Sequence, residues 1–206
     1  MEGLRAIARA GWRGEDHALS LANVQSLIRD RETVNAEIPL NGLRWIISHI
    51  PAFPLEMANR ANAMGIGVLV GWGPLRGAGA NGASAGPPYR MLMDHPIHKG
   101  YHSDGGDITV INPWLNLSTI ITGKNLAGQQ ILGDQTLTRQ ETLRLATAAN
   151  KWFIWEDDIG SIEAGNRADL AVLDRDYFTV PDEELRRIRS VLTVVGGKVV
   201  HNEGIV

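Results

Sequence analysis

The sequence of 206 residues contains no cysteine. That excludes disulfide staples, thiol nucleophiles and thiolate metal ligands. Any metal bound by this chain must be held by imidazole and carboxylate groups. Positive charge is not in excess either: 20 Lys plus Arg stand against 23 Asp plus Glu, a formal charge of −3. Nucleic acid is therefore not an expected partner, because its recognition needs a basic footprint that neutralises phosphates. No apolar run approaches the roughly 18 residues of a membrane span. Near the N-terminus Arg5, Arg9 and Arg13 interrupt what would be the apolar core of a signal peptide. No membrane contact is expected, and the cytoplasm is the default location. Internal repeats are also wanting. What remains is an ordinary globular composition, 44% hydrophobic and 21% charged, in a chain long enough to bury a sizeable core.

The hydrophobic pattern alternates between helix and strand periods. Leu4, Ile7 and Ala8 share a helical face that ends at Gly11, a residue suited to the position after a helix. A short strand is expected from Gly11 to His17. Ser20 then caps a helix carrying Leu21, Val24, Leu27, Ile28 and Val34. Leu43 to His49 reads as a buried strand, Pro54 opens a helix to Met64, and Ile66 to Val70 is the next strand. Ile97 to Asp104 reads as a further strand that ends in polar residues. Such alternation argues for βα units around a parallel sheet. Between them, Gly71 to Pro88 holds six glycines in 18 residues, as the rim of an active site or a linker would. Those glycines have no helix directly after them, which weighs against a free-standing dinucleotide-type binding domain. Thr138-Arg-Gln-Glu141 is a capping box opening a helix to about Trp152. Beyond it, Ala168 to Asp174 and Val191 to His201 read as strands of a small antiparallel unit, turning at Gly196-Gly197. Charges from Asp182 to Arg189 suit the solvated face of a short helix.

His17, His49 and Asp104 fall at or near the carboxyl ends of expected strands, the edge where parallel α/β folds build sites. They are spaced by about one and two βα units, so they can converge, and their donor atoms suit zinc. By spacing alone each is more often a structural residue than a ligand. His95, His98 and His102 form a second group, with Asp107 a further carboxylate, and rim histidines are the simpler reading there. The six tryptophans are scattered, as core or pocket wall would be.

Several stretches carry a resemblance. Glu156-Asp-Asp-Ile-Gly-Ser-Ile-Glu-Ala-Gly-Asn-Arg-Ala-Asp-Leu-Ala-Val-Leu-Asp174 and Leu192-Thr-Val-Val-Gly-Gly-Lys-Val-Val200 resemble the closing motifs of the amidohydrolase superfamily. Arg44-Trp-Ile-Ile-Ser-His49, Gly86-Pro-Pro-Tyr-Arg90, Ser103-Asp104 and Thr138 to Thr147 resemble its family 3, which includes N-substituted formamide deformylase-like enzymes. The likeness runs from about residue 5 to the end. It implies a TIM-like (β/α)8 barrel in which His17 ends the fifth strand, His49 the sixth and Asp104 the eighth. It further implies that His17 and His49 bind a divalent metal, most simply zinc, or orient the substrate, and that Asp104 ligates the metal and takes the proton of the attacking water. Tyr89, Arg90 and His102 then face a small amide-type substrate. The chain departs from the pattern after His17, where Ser20-Leu21 follow in place of a Gly-Asp pair. His102 stands where glycine is common, and no His-x-His occurs.

A full barrel takes about 250 residues. The expectation is therefore an α/β chain holding the C-terminal half of such a barrel, residues 1–152 with strands five to eight, and part of a small accessory β-unit, residues 153–206. The expected activity is metal-dependent hydrolysis of amide-type carbon–nitrogen bonds. The alternative is a non-catalytic piece that pairs with another chain. A half-barrel would leave Ile46, Val68 and Val70 facing an open inner side, which favours self-association or a complementing N-terminal half. Its incomplete ligand set predicts weak zinc binding.

Overall fold

The computed structural model describes residues 1–71, 86–106 and 111–205. Helix α1 (Glu2–Arg9) stops at Gly11, whose φ of +70° a side chain would resist. Strand β1 (Glu15–Ala18) starts later than expected and runs one residue past His17. Helix α2 (Leu21–Asn35) opens at Ser20, whose Oγ accepts the Asn23 N–H at 3.2 Å. Then come β2 (Ile46–His49), α3 (Leu55–Ala63) behind Pro54, and β3 (Gly67–Gly71). Beyond the Gly-rich stretch, most of which lies outside the described residues, follow α4 (Tyr89–Asp94) and β4 (Lys99–His102). The four strands form one parallel sheet in the order β1-β2-β3-β4. Each pair of parallel strands is joined by a crossover, as parallel pairing demands. The fold is α/β, as the sequence pattern predicts.

One face of this sheet is the main core. Val68 and Val70 are at most 1% exposed and cluster with Met57, Ala58, Ala61 and Leu92 from the flanking helices. The expectation that Val68 and Val70 line an open inner side is thus overturned, since both point to the helix layer. Ile46 does stand on the opposite face, paired with Gly67, yet it is only 1% exposed. On that face a Cβ at Gly67 would lie 2.5 Å from the Trp152 ring, and one at Gly100 would lie 2.7 Å from Phe153. Two aromatic rings occupy the room that strand side chains would otherwise fill.

Those rings belong to α7 (Lys151–Ile154), a single turn separate from α6 (Arg139–Ala146). The capping box is present at Thr138 and Glu141, but the helix expected to reach Trp152 ends at Ala146. The break has a partner. Asn150, between the two helices, accepts the Tyr101 N–H at 2.9 Å and donates to the Tyr101 carbonyl at 3.0 Å. Its side-chain amide thereby does for the outer edge of β4 what a neighbouring strand would do. The boundary expected at 152/153 falls inside α7.

Helix α5 (Pro113–Thr122) and α6 carry the tail. Tyr177, Leu185 and Ile188 form a second small core against Trp114, Ile121 and Leu143. Arg139 donates to the carbonyls of Tyr177 at 2.6 Å and Val180 at 2.5 Å. The expected short charged helix is a 3₁₀ segment, Asp182–Arg187. Strands β5 (Leu170–Leu173), β6 (Ser190–Val195) and β7 (Lys198–Asn202) make an antiparallel sheet. Gly196 and Gly197 turn β6 into β7 with φ of +56° and +80°, the left-handed pair a tight hairpin requires. Among the described residues no helix is long and apolar enough to cross a membrane.

Candidate metal centre

The parallel register brings the carboxyl ends of the four strands to one edge. His17 lies opposite Ser48, His49 opposite Val70, and Gly71 opposite His102. At Gly71 the approach is so close that a Cβ would sit 1.9 Å from the His102 carbonyl oxygen, so only glycine lets β4 end where it does. Along this edge the imidazoles meet edge to face. The ring centroids of His17 and His49 are 4.4 Å apart, and those of His49 and His102 are 4.5 Å apart. Asp104 completes the cluster, with Oδ2 3.7 Å from His49 Nδ1 and Oδ1 3.5 Å from His102 Nδ1.

Backbone strain marks the same residues. His49 has φ of +72°, Ile50 of +37° and Asp104 of +51°. The turn after β2 is closed by the Ile50 N–H on the Ser48 carbonyl at 3.0 Å. A β-branched residue in left-handed backbone costs on the order of 1–3 kcal/mol and persists only where the surroundings hold it. Ile50 is fully buried, and that burial holds the turn that aims His49 toward Asp104.

The electrostatics favour neutral imidazole. Burial, aided by the neighbouring His49, pushes His102 down to about 4, against the opposing pull of Asp104 and Glu15. At neutral pH its ring therefore keeps a lone pair. His102 Nε2 is buried without a hydrogen-bond partner among the described residues. His49, His102 and Asp104 offer donor atoms that all lie within 4.8 Å of one another. Ligand atoms about 2.0–2.1 Å from a tetrahedral zinc stand about 3.3 Å apart, close to the 3.5 and 3.7 Å separations here. The donor set is nitrogen and oxygen, and it fits a divalent cation.

Of the residues singled out from the sequence, His17, His49, His102 and Asp104 are thus brought together. Tyr89 and Arg90 are engaged elsewhere. The Tyr89 side chain is 1% exposed in the main core, and Arg90 makes a two-pronged pair with Glu141 at 2.7 and 3.2 Å. His98 stacks on Trp152 at 4.2 Å, and His95 meets Asn59 at 3.0 Å; neither joins the cluster of His49, His102 and Asp104. Asp107 lies outside the described residues. Two features went unread in the sequence, Gly71 as a point of close approach and the turn at Ile50. A glycine ending an apolar strand was the available signal for the first.

Known proteins resemble this chain in sequence and in fold. The N-substituted formamide deformylase of Arthrobacter pascens is 32% identical over 115 residues, 53% of this chain and 20% of that protein. The atrazine chlorohydrolase of Arthrobacter aurescens, solved with zinc, superposes with a TM-score of 0.63 at 22% identity, over 96% of this chain and 46% of that one. A metal-dependent hydrolase of Pyrococcus horikoshii gives 0.68 at 22% identity, over 88% and 38%. The chain thus spans less than half the length of the relatives it matches. Because the amidohydrolase family model matches residues 2–201, nearly the whole chain, this protein belongs to the amidohydrolase family.

Proposed function

We propose that the chain carries strands five to eight of an amidohydrolase barrel and contributes the metal-binding edge of a hydrolase for amide-type carbon–nitrogen bonds in a small molecule. The observation that carries this reading is the convergence of His17, His49 and Asp104 on one strand edge, with His49 and Asp104 in strained backbone. His49 and Asp104 would hold the cation, with His17 beside them. When bound, a divalent cation acidifies water and polarises a carbonyl. Asp104, 23% exposed, is reachable by solvent and stands between two imidazoles. It would accept the proton of the attacking water and later return it to the leaving nitrogen. The zinc found in the chlorohydrolase supports zinc as the cation. The deformylase, 32% identical to this chain over 115 residues, supports an N-substituted amide as substrate.

The sheet has four strands, and β1 pairs only with β2 among the described residues. This favours a catalytic unit completed by a further four strands, from a second chain or a longer polypeptide. The test is co-expression with the N-terminal half of the Arthrobacter pascens deformylase, followed by an amine-release assay on N-substituted formamides. Zinc-dependent turnover lost in Asp104→Asn is the expected result. Turnover at the parental rate in Asp104→Asn would remove Asp104 from the chemistry.

A further inference from the structure

We propose that His102 is a metal ligand, forming with His49 and Asp104 a three-residue cation site that lies wholly within this chain. The inference rests on the metal-dependent reading above and deepens it, because the resemblance assigns His102 to substrate and assigns the third ligand to His17.

Geometry separates the two histidines. His102, His49 and Asp104 place one donor atom each within 4.8 Å of one another, whereas His17 falls outside that group. The His102 Nδ1 to Asp104 Oδ1 separation of 3.5 Å is long for a charge-assisted hydrogen bond, which runs at about 2.7–2.9 Å. It is close to the about 3.3 Å edge of a tetrahedral ligand set. His102 Nε2 is buried with no hydrogen-bond partner among the described residues; a ring proton carried there leaves the lone pair on Nδ1, the nitrogen nearest Asp104. Its position is held firmly, since β4 ends against Gly71 with no room for a Cβ. Three protein ligands with an open position is the composition of a catalytic rather than a structural zinc site.

Calorimetric titration of the chain with zinc chloride should show one equivalent bound. His102→Ala and His102→Gln should weaken that binding at least tenfold, as should His49→Ala and Asp104→Asn. His201→Ala, in the exposed tail strand β7, should leave it unchanged. In the unsubstituted chain, the His102 ring nitrogens should shift on zinc addition when followed by ¹⁵N NMR, a readout that needs no variant to fold. Parental affinity in both His102 variants, or unshifted His102 nitrogens in a chain that binds zinc through His49 and Asp104, would overturn the inference while leaving the metal reading intact. A chain that binds no zinc at all would overturn both.

Discussion

Arg31 and Asp16 form an ion pair whose two ends stand in different media, and the difference predicts very unequal costs for removing one or the other. Arg31, on the sheet-facing side of α2, has a fully buried side chain, while Asp16 in β1 is 44% exposed; they meet at 2.6 Å. The guanidinium also donates to the Leu27 carbonyl and lies 5.6 Å from the Trp45 ring centre. Burial lowers its pKa, outweighing the hydrogen bond and attraction from Asp16. The folded state therefore tolerates this cation rather than favouring it. Asp16→Ala would strand a buried charge, which costs about 3–5 kcal/mol. Arg31→Met keeps most of the volume and leaves only a half-exposed carboxylate that water can serve, so its cost should stay below about 1 kcal/mol. With domain stabilities of about 5–15 kcal/mol, the first change approaches unfolding and the second is barely felt. Urea unfolding with an unchanged slope would measure both. If Arg31→Met proved as damaging as Asp16→Ala, the reasoning from asymmetric burial would be refuted.

Other substitutions probe the edges and the packing. Glu141 is held down to about 2, first by the hydrogen bond from Arg90 and then by the Thr138 backbone and hydroxyl, against an ordinary value of 4.5. A carboxylate with a depressed folded pKa stabilises fully above its unfolded value and loses that contribution as pH falls. The stability gap between the parent and Glu141→Gln should therefore close between about pH 4.5 and 2; a gap constant over that window would contradict it. Gly67→Ala should cost about 1–3 kcal/mol by forcing a methyl against Trp152, whereas Gly3→Ala in α1, with nothing within 4 Å, should add about 0.5–1 kcal/mol; equal shifts in melting temperature would show that α7 does not pack there. Asn150→Ala frees the N–H and carbonyl of Tyr101 on the β4 edge, so light scattering after size exclusion should show more self-association than in the parent; an unchanged mass distribution would mean the edge is protected otherwise.

The order of elements was legible because local chemistry and the fold agree. Ser20, Pro54 and the Thr138–Glu141 box each sit where a backbone needs them, and the β-branched runs became the buried strands. Helix α5 was missed although Asn112, Pro113 and Gly123 mark both its ends. Its interior, Leu-Asn-Leu-Ser-Thr-Ile-Ile, is poor in strong helix formers. The overextension of α6 has the opposite cause. Ala148 and Ala149 favour helix, but the helix gives way where Asn150 binds an edge 49 residues away in sequence. A propensity summed along the chain contains no term for that contact.

The direction of Val68 and Val70 shows the limit of strand reading most sharply. An apolar strand buried on both faces has no alternation to reveal which residues face helices and which face the sheet's other side. The glycines carried the missing information. Gly67, Gly71 and Gly100 alternate with large residues in β3 and β4, and all three lie where something else fills the space: Trp152, Phe153 or the His102 carbonyl. The site obeys the same logic. Strand-end position was enough to pick out His17, His49 and Asp104, because parallel register forces those ends together. It could not choose among the histidines, since that depends on a left-handed His49 and on how near β4 passes to Gly71. A histidine in the last regular pair whose own φ is left-handed is aimed by the turn as well as by the strand, and the turn here is held by a buried Ile50 in a conformation isoleucine resists. The strain at that turn is therefore tied to the geometry of the histidine–aspartate cluster. Relaxing it would let His49 swing away from Asp104, and the cluster would open.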